Sequence, residues 1–143
     1  MSNLSNLTCA PMKRQTQIAA DCVVFDEQDR LLLIKRKNYP FEGQYALPGG
    51  FVEYGETTEA AAARELLEET GLIAIDVQLI GVYSRPDRDP RGHVISVAYL
   101  VTVHPADIQA GDDAASAEFV GDWQSLRLAF DHNEILSDAL KIR

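Results

Sequence analysis

Gly50-Phe51-Val52-Glu53-Tyr54-Gly55-Glu56, then seven residues, then Arg64-Glu65-Leu66-Leu67-Glu68-Glu69-Thr70-Gly71-Leu72 is the stretch on which the reading of this chain turns. The second half reads as a helix. Thr57 or Thr58 offers an N-cap, Glu59 suits the first turn, and Gly71 suits the position just past the end. Ala62, Ala63 and Leu66 give it a small-residue side that can lie close to a sheet. Glu65, Glu68 and Glu69 stand at i, i+3 and i+4, so they share one face. Like charges at that spacing repel, and folding alone does not ask for them. The plain alternative is a solvated glutamate face. Arg64 can neutralise one carboxylate, and a hard divalent cation is the natural partner for the others.

Nine defined positions fit G-x5-E-x7-R-E-(apolar)-x-E-E-x-G-(apolar) without a gap. That agreement is far more specific than a charge run. On these residues the chain resembles the Nudix hydrolases. The resemblance implies an α/β fold in which a mixed β-sheet lies between helices and the signature forms a loop, a helix and a second loop. It also implies cleavage of a diphosphate linking a nucleoside to another group, with Mg2+ as the cofactor and Mn2+ as its substitute. Carried onto this chain, Glu65, Glu69 and the Gly49 carbonyl would be metal ligands. Glu68 would be a ligand or would hold water at the metal. Arg64 and Glu56 would form a salt bridge that orients the glutamates. The general base would be a signature glutamate or Glu118, which sits before a tryptophan-containing segment and has an exposed strand position as its plain alternative.

Outward from the signature, the chain reads as one domain. Residues 1–14 look like a flexible arm, and 15–143 like the folded unit. Gln17 to Phe25 and Arg30 to Lys37 read as strands joined by the turn Asp26–Asp29, which suggests a hairpin. Tyr45 to Val52 reads as a short extended piece broken by Pro48-Gly49-Gly50. Ile73 to Tyr83, His93 to Val103 and Ser116 to Val120 read as further strands, and Asn133 to Lys141 as a closing helix. Alternation of this kind points to an α/β sandwich.

Composition narrows the function classes. With 143 residues, 46% of them hydrophobic, the chain can bury one sizeable core. No apolar run is long enough for a membrane span, and Met1 to Gln15 lacks a signal-peptide core, so a cytoplasmic protein without a membrane partner is expected. Cys9 and Cys22 are too few for a disulfide framework or a zinc site. A net charge of −9 argues against nucleic-acid binding. It still permits an anionic small substrate, because a metal ion and local arginines reverse the field inside a site.

The segment Val82-Tyr83-Ser84-Arg85-Pro86-Asp87-Arg88-Asp89-Pro90-Arg91-Gly92-His93 resembles the corresponding loop of ADP-ribose pyrophosphatases. Leu128-Ala129-Phe130-Asp131-His132 resembles the same group and its ADP-ribose-sensing regulators. Arg85, Arg88 and Arg91 are therefore candidate substrate contacts, since guanidinium groups match phosphate geometry. Surface salt bridges within the loop are the plain alternative. Tyr39, Phe41, Tyr45, Phe51, Tyr83 and Trp123 are candidate base stackers, most of them expected in the core. The expected activity is ADP-ribose hydrolysis to AMP and ribose 5-phosphate. Nucleoside-triphosphate pyrophosphohydrolysis and non-catalytic ADP-ribose sensing are the alternatives, and the intact signature favours an enzyme. The resemblance further implies a homodimer.

Overall fold

A computed structural model describes residues 14–109 and 114–143, with side chains from residue 116 onward in the second stretch. The expected arm, apart from Arg14, lies outside the described residues. Seven strands and two helices follow in the order β1 (Gln17–Val23), β2 (Leu31–Arg36), β3 (Tyr45–Ala46), β4 (Gly49–Phe51), α1 (Thr58–Thr70), β5 (Ala74–Tyr83), β6 (Val94–Val103), β7 (Ala114–Val120) and α2 (His132–Ile142). Among the described residues, no helix is long and apolar enough to cross a membrane.

The strands form two sheets. One has the order β4-β1-β6-β5, and the other the order β3-β2-β7. The first is mixed: β1 runs parallel to β6 and antiparallel to β4. Helices cover both of its faces, and the alternation along β1 shows how. Ala20, Cys22 and Val24 pack with Ala61, Ala62 and Leu66 of α1, whereas Val23 packs with Ile135, Leu136 and Ala139 of α2. β6 divides in the same way, with Tyr99 and Val101 toward α1 and Ala98 toward α2. The expected sandwich of sheet between helices is present.

The expected β1–β2 hairpin is not. The Asp26 side chain does close the turn, accepting from the backbone N–H groups of Gln28 and Arg30 at 3.0 and 2.8 Å. Past Phe25 and Leu31, which form an isolated bridge, the two strands part into different sheets. The reason lies in their composition. Leu31, Leu32, Leu33 and Ile34 are all buried, as are Ala20, Cys22 and Val23. A strand buried on both faces reads as a continuous apolar run and sits inside a sheet, flanked by strands on either side. The extended piece after Tyr45 is likewise split. Tyr45 pairs with Lys35 in one sheet, and Gly49 pairs with Asp21 in the other, so the chain changes sheets at Leu47-Pro48.

Helix α1 begins and ends where local chemistry puts its ends. Thr57 is the N-cap, its side chain accepting from the Ala60 N–H at 3.0 Å, an interaction worth about 1 kcal/mol. Gly71 takes the left-handed conformation at φ 76° and donates its N–H to the Leu67 carbonyl. A side chain there would meet strain that glycine avoids.

Candidate active site

Helix α1 presents its glutamates to the turn at which the chain has just changed sheets. The backbone N–H of Gly49 donates to Glu69 Oε1 at 2.8 Å, and Glu69 is buried. A Cβ on Gly49 would collide with the Asp21 carboxylate, and one on Gly50 would collide with the carboxylate of Glu65. Neither glycine has a positive φ. They are required because three carboxylates crowd the turn, leaving no room for a side chain.

Arg64 gathers the other acids. Its Nε and Nη2 donate to Glu56 at 2.7 and 3.0 Å, its Nη1 donates to Glu65 at 2.7 Å and Glu68 at 3.3 Å, and Nη2 also reaches the Phe51 carbonyl at 3.0 Å. The fork holds the Glu56 carboxyl down to about 2, and Glu56 in turn accepts the Glu53 N–H. The Arg64–Glu56 pair thus ties the loop before the helix to its middle turn.

These groups floor a cleft of about 450 Å³. Asp21, Gly49, Gly50, Glu53, Glu65 and Glu69 form its acidic side. Arg36, Lys37, Arg88 and Arg91 also line the cleft, together with Asp89, Tyr39, Phe51 and Phe130. The Arg91 guanidinium lies 5.2 Å from the Phe51 ring centre, and that of Arg36 lies 5.0 Å from Phe130, within cation–π range. Burial, together with the Arg91 charge, pulls Arg36 below its usual value.

Comparison with known proteins shows the family to which the chain belongs. A family model, the NUDIX domain, matches residues 15–140. The chain belongs to the Nudix family. It is 52% identical to an ADP-ribose pyrophosphatase of Methanocaldococcus jannaschii over 87% of this chain and 73% of that protein. It is 38% identical to an ADPR-responsive transcriptional repressor of Acinetobacter baylyi, over 78% of this chain and 47% of the repressor. Among solved structures, the NUDIX domain of Shewanella oneidensis NrtR complexed with ADP ribose superposes with a TM-score of 0.83 at 26% identity, covering 99% of each chain. A bifunctional NMN adenylyltransferase/ADP ribose pyrophosphatase of Francisella tularensis, complexed with AMP and a manganese ion, gives 0.79 at 29% identity over 96% of this chain and 45% of that one.

Within this Nudix site the residues expected from sequence fall into three groups. Gly49, Glu65 and Glu69 come together at the cleft floor. Glu68 stands outside the lining with its side chain 57% exposed and is tied to Arg64. Of the loop arginines, Arg91 lines the cleft and is steered by Asp89 at 2.8 and 3.1 Å. Arg88 also lines it, but its fork is spent on Asp131. Arg85 lies elsewhere: it pairs with Glu134 at 2.9 Å beside α2.

Glu118 does not line the cleft. It sits opposite Leu33 in the other sheet, exposed, and accepts from the Tyr45 hydroxyl at 2.6 Å. Glu118→Gln is accordingly expected to leave kcat within about tenfold of wild type, well short of the ~10²–10⁴-fold loss that removal of a general base brings, as steady-state kinetics would show.

Several lining residues escaped the sequence reading: Asp21, Arg36, Lys37 and Glu53. Asp21 carried a usable signal, being a lone carboxylate inside the apolar run Ile18 to Val24. A buried charge in such a strand needs partners. Of the aromatic candidates, Tyr39 and Phe51 line the cleft, Phe41 packs on Phe130 at 4.8 Å, and Tyr83 and Trp123 lie in the core.

In donor chemistry the floor fits a divalent cation. It offers carboxylate oxygens and backbone at a turn with no side chains in the way, as hard cations require. Among the described residues, no three acidic, histidine or cysteine side chains already converge on one point. Arg64 and the Gly49 N–H hold the glutamates in place.

Proposed function

We propose that this Nudix protein hydrolyses ADP-ribose to AMP and ribose 5-phosphate with Mg2+, or Mn2+ in its place. The observation that carries the reading is the cleft that brings Glu65 and Glu69 of α1 into one lining with Arg36 and Arg91, a set suited to a diphosphate with a cation. The 52% identity to an ADP-ribose pyrophosphatase supports the choice of substrate. Glu65, Glu69 and the Gly49 carbonyl would hold the cation, with Glu68 at its margin. When bound, the cation offsets phosphate charge and makes a water easier to deprotonate.

The chain's own residues do the rest. Arg64 holds Glu65 at the cleft and ties Glu68 at its margin, and Glu56 locks Arg64. Arg91 and Arg36 balance the charge on the diphosphate oxygens. The cation–π wall of Phe51 and Phe130 gives the nucleoside an apolar surface. With Glu118 outside the cleft lining, the proton of the attacking water goes to a signature glutamate. Water adds to one phosphorus, the bridging oxygen leaves with the other phosphate, and no redox partner is needed.

In the same reading the enzyme works in the cytoplasm, binds neither nucleic acid nor membrane, and is a homodimer. The exposed Ile75, Leu79 and Val82 on the edge strand β5 are the apolar surface on offer for the dimer.

Product analysis of a panel tests the assignment: ADP-ribose, NADH, a diadenosine polyphosphate, dGTP and 8-oxo-dGTP, each with and without Mg2+. AMP appearing fastest from ADP-ribose, and only with the metal, is the expected result. Faster turnover of a triphosphate would overturn the substrate. Tight ADP-ribose binding without turnover would overturn the enzyme.

A further inference from the structure

The segment Phe130-Asp131-His132 lies at the start of α2, far along the chain from the signature, and the proposed chemistry gives His132 nothing to do. Its side chain is nevertheless buried in the cleft wall. The backbone N–H of Leu47 donates to His132 Nδ1 at 3.0 Å. A nitrogen that accepts has no proton, so the single imidazole proton is on Nε2. Nε2 stands 3.7 Å from Asp21 Oδ2, the same oxygen that accepts from the Ser96 hydroxyl.

Asp21 in turn abuts Gly49, its register partner across β1 and β4, whose N–H goes to Glu69. The turn that changes sheets is thus held at successive groups. Leu47 N–H goes to His132, the Pro48 carbonyl accepts from Cys22 N–H at 2.8 Å, and Gly49 N–H goes to Glu69. Two of these ties are backbone to side chain, and only the one to His132 comes from the C-terminal helix.

We infer that His132 is a positioning residue for the cation site: through Leu47 and Asp21 it seats the Gly49-Gly50 turn against Glu69 and Glu65. Ser96 is the second tie that keeps Asp21 in place. The inference rests on the reading of Glu65, Glu69 and Gly49 as the cation's holders. Groups that orient ligands in this way typically contribute a factor of about 10–100 in metal affinity or activity.

The test is Mn2+ binding to the full chain, followed by electron paramagnetic resonance of the free ion, alongside kcat and KM for ADP-ribose and a melting curve. His132→Ala should weaken Mn2+ binding by about 10–100-fold and lower kcat, with KM for ADP-ribose changed by no more than about twofold. His132→Asn places an acceptor near the Nδ1 position and should recover part of the Mn2+ affinity. A merely structural histidine would lower the melting temperature and leave the Mn2+ Kd of the folded protein within about twofold of wild type, and that result overturns the inference.

If His132→Ala does not fold, Ser96→Ala reads the same network. It should weaken Mn2+ binding several-fold, and an unchanged Kd there overturns the inference equally. Glu69→Gln is the control. If it abolishes Mn2+ binding while the His132 and Ser96 variants do not alter it, this inference alone falls. If wild type binds no Mn2+, the cation site and the inference fall together.

Discussion

Glu69→Gln is expected to lower metal-dependent turnover of ADP-ribose by about 10²–10³-fold or more, the scale on which loss of a charge-stabilising group acts in a closed site. The substitution separates chemistry from folding. The native Oε1 accepts the Gly49 N–H, and a glutamine carbonyl oxygen accepts it equally well. The side chain is buried, so its volume matters, and glutamine keeps that volume. The negative charge is removed, and one acceptor oxygen becomes an N–H donor. The variant should melt close to wild type and show its loss in kcat and in Mn2+ affinity. Turnover near the wild-type rate would mean that Glu69 is a capping group for the turn and not a holder of the cation.

Arg88→Ala is expected to cost about 3–5 kcal/mol in stability, the usual penalty for breaking a buried ion pair by removing one partner. Arg88 and Asp131 have side chains only 3% and 5% exposed, and the fork is bidentate at 2.8 and 2.5 Å. Burial alone would lower Arg88 and raise Asp131, but the pairing reverses both shifts, so each stays charged. Arg88 also donates to the Val94 carbonyl at 3.2 Å, joining the β5–β6 loop to the start of β6. Its removal strands a carboxylate directly before His132. Chemical denaturation of the variant measures the effect. Unchanged stability with a raised KM for ADP-ribose would instead return Arg88 to the substrate-contacting role its place in the loop suggests. Arg91 differs: its side chain is 37% exposed and its tie to Asp89 is local, which leaves it able to serve a ligand.

What was legible from sequence follows the distance over which each decision is made. Helix α1, its Thr57 cap and its Gly71 terminus were readable because every group involved lies within a few positions of its partner. The grouping of Glu65, Glu68 and Glu69 was readable from helical spacing alone. Pairing of β1 and β2 was misread because a tight turn between two apolar runs looks like a hairpin, whereas β1 pairs with β4 and β6 and β2 with the nearby β3 and the distant β7. Asp21 meets Ser96 across 75 positions, and Leu47 meets His132 across 85. Nothing local announces such contacts. Glu118 was placed correctly in a strand, but its register opposite Leu33, away from the cleft-lining Ile34 and Arg36 of the same sheet, is a long-range pairing that no local pattern shows.

The junction at Leu47-Pro48 has a consequence for how the protein is made. A chain emerging from synthesis can form α1 early, since its contacts are local, and α1 then carries three glutamates with Arg64 as their near neighbour. The turn opposite them gains its bond to His132 only when α2, the last element, has docked. Contacts of such long separation are the slow ones in folding. If the turn holds a cation as proposed, affinity for that ion should therefore arise late, once α2 has docked.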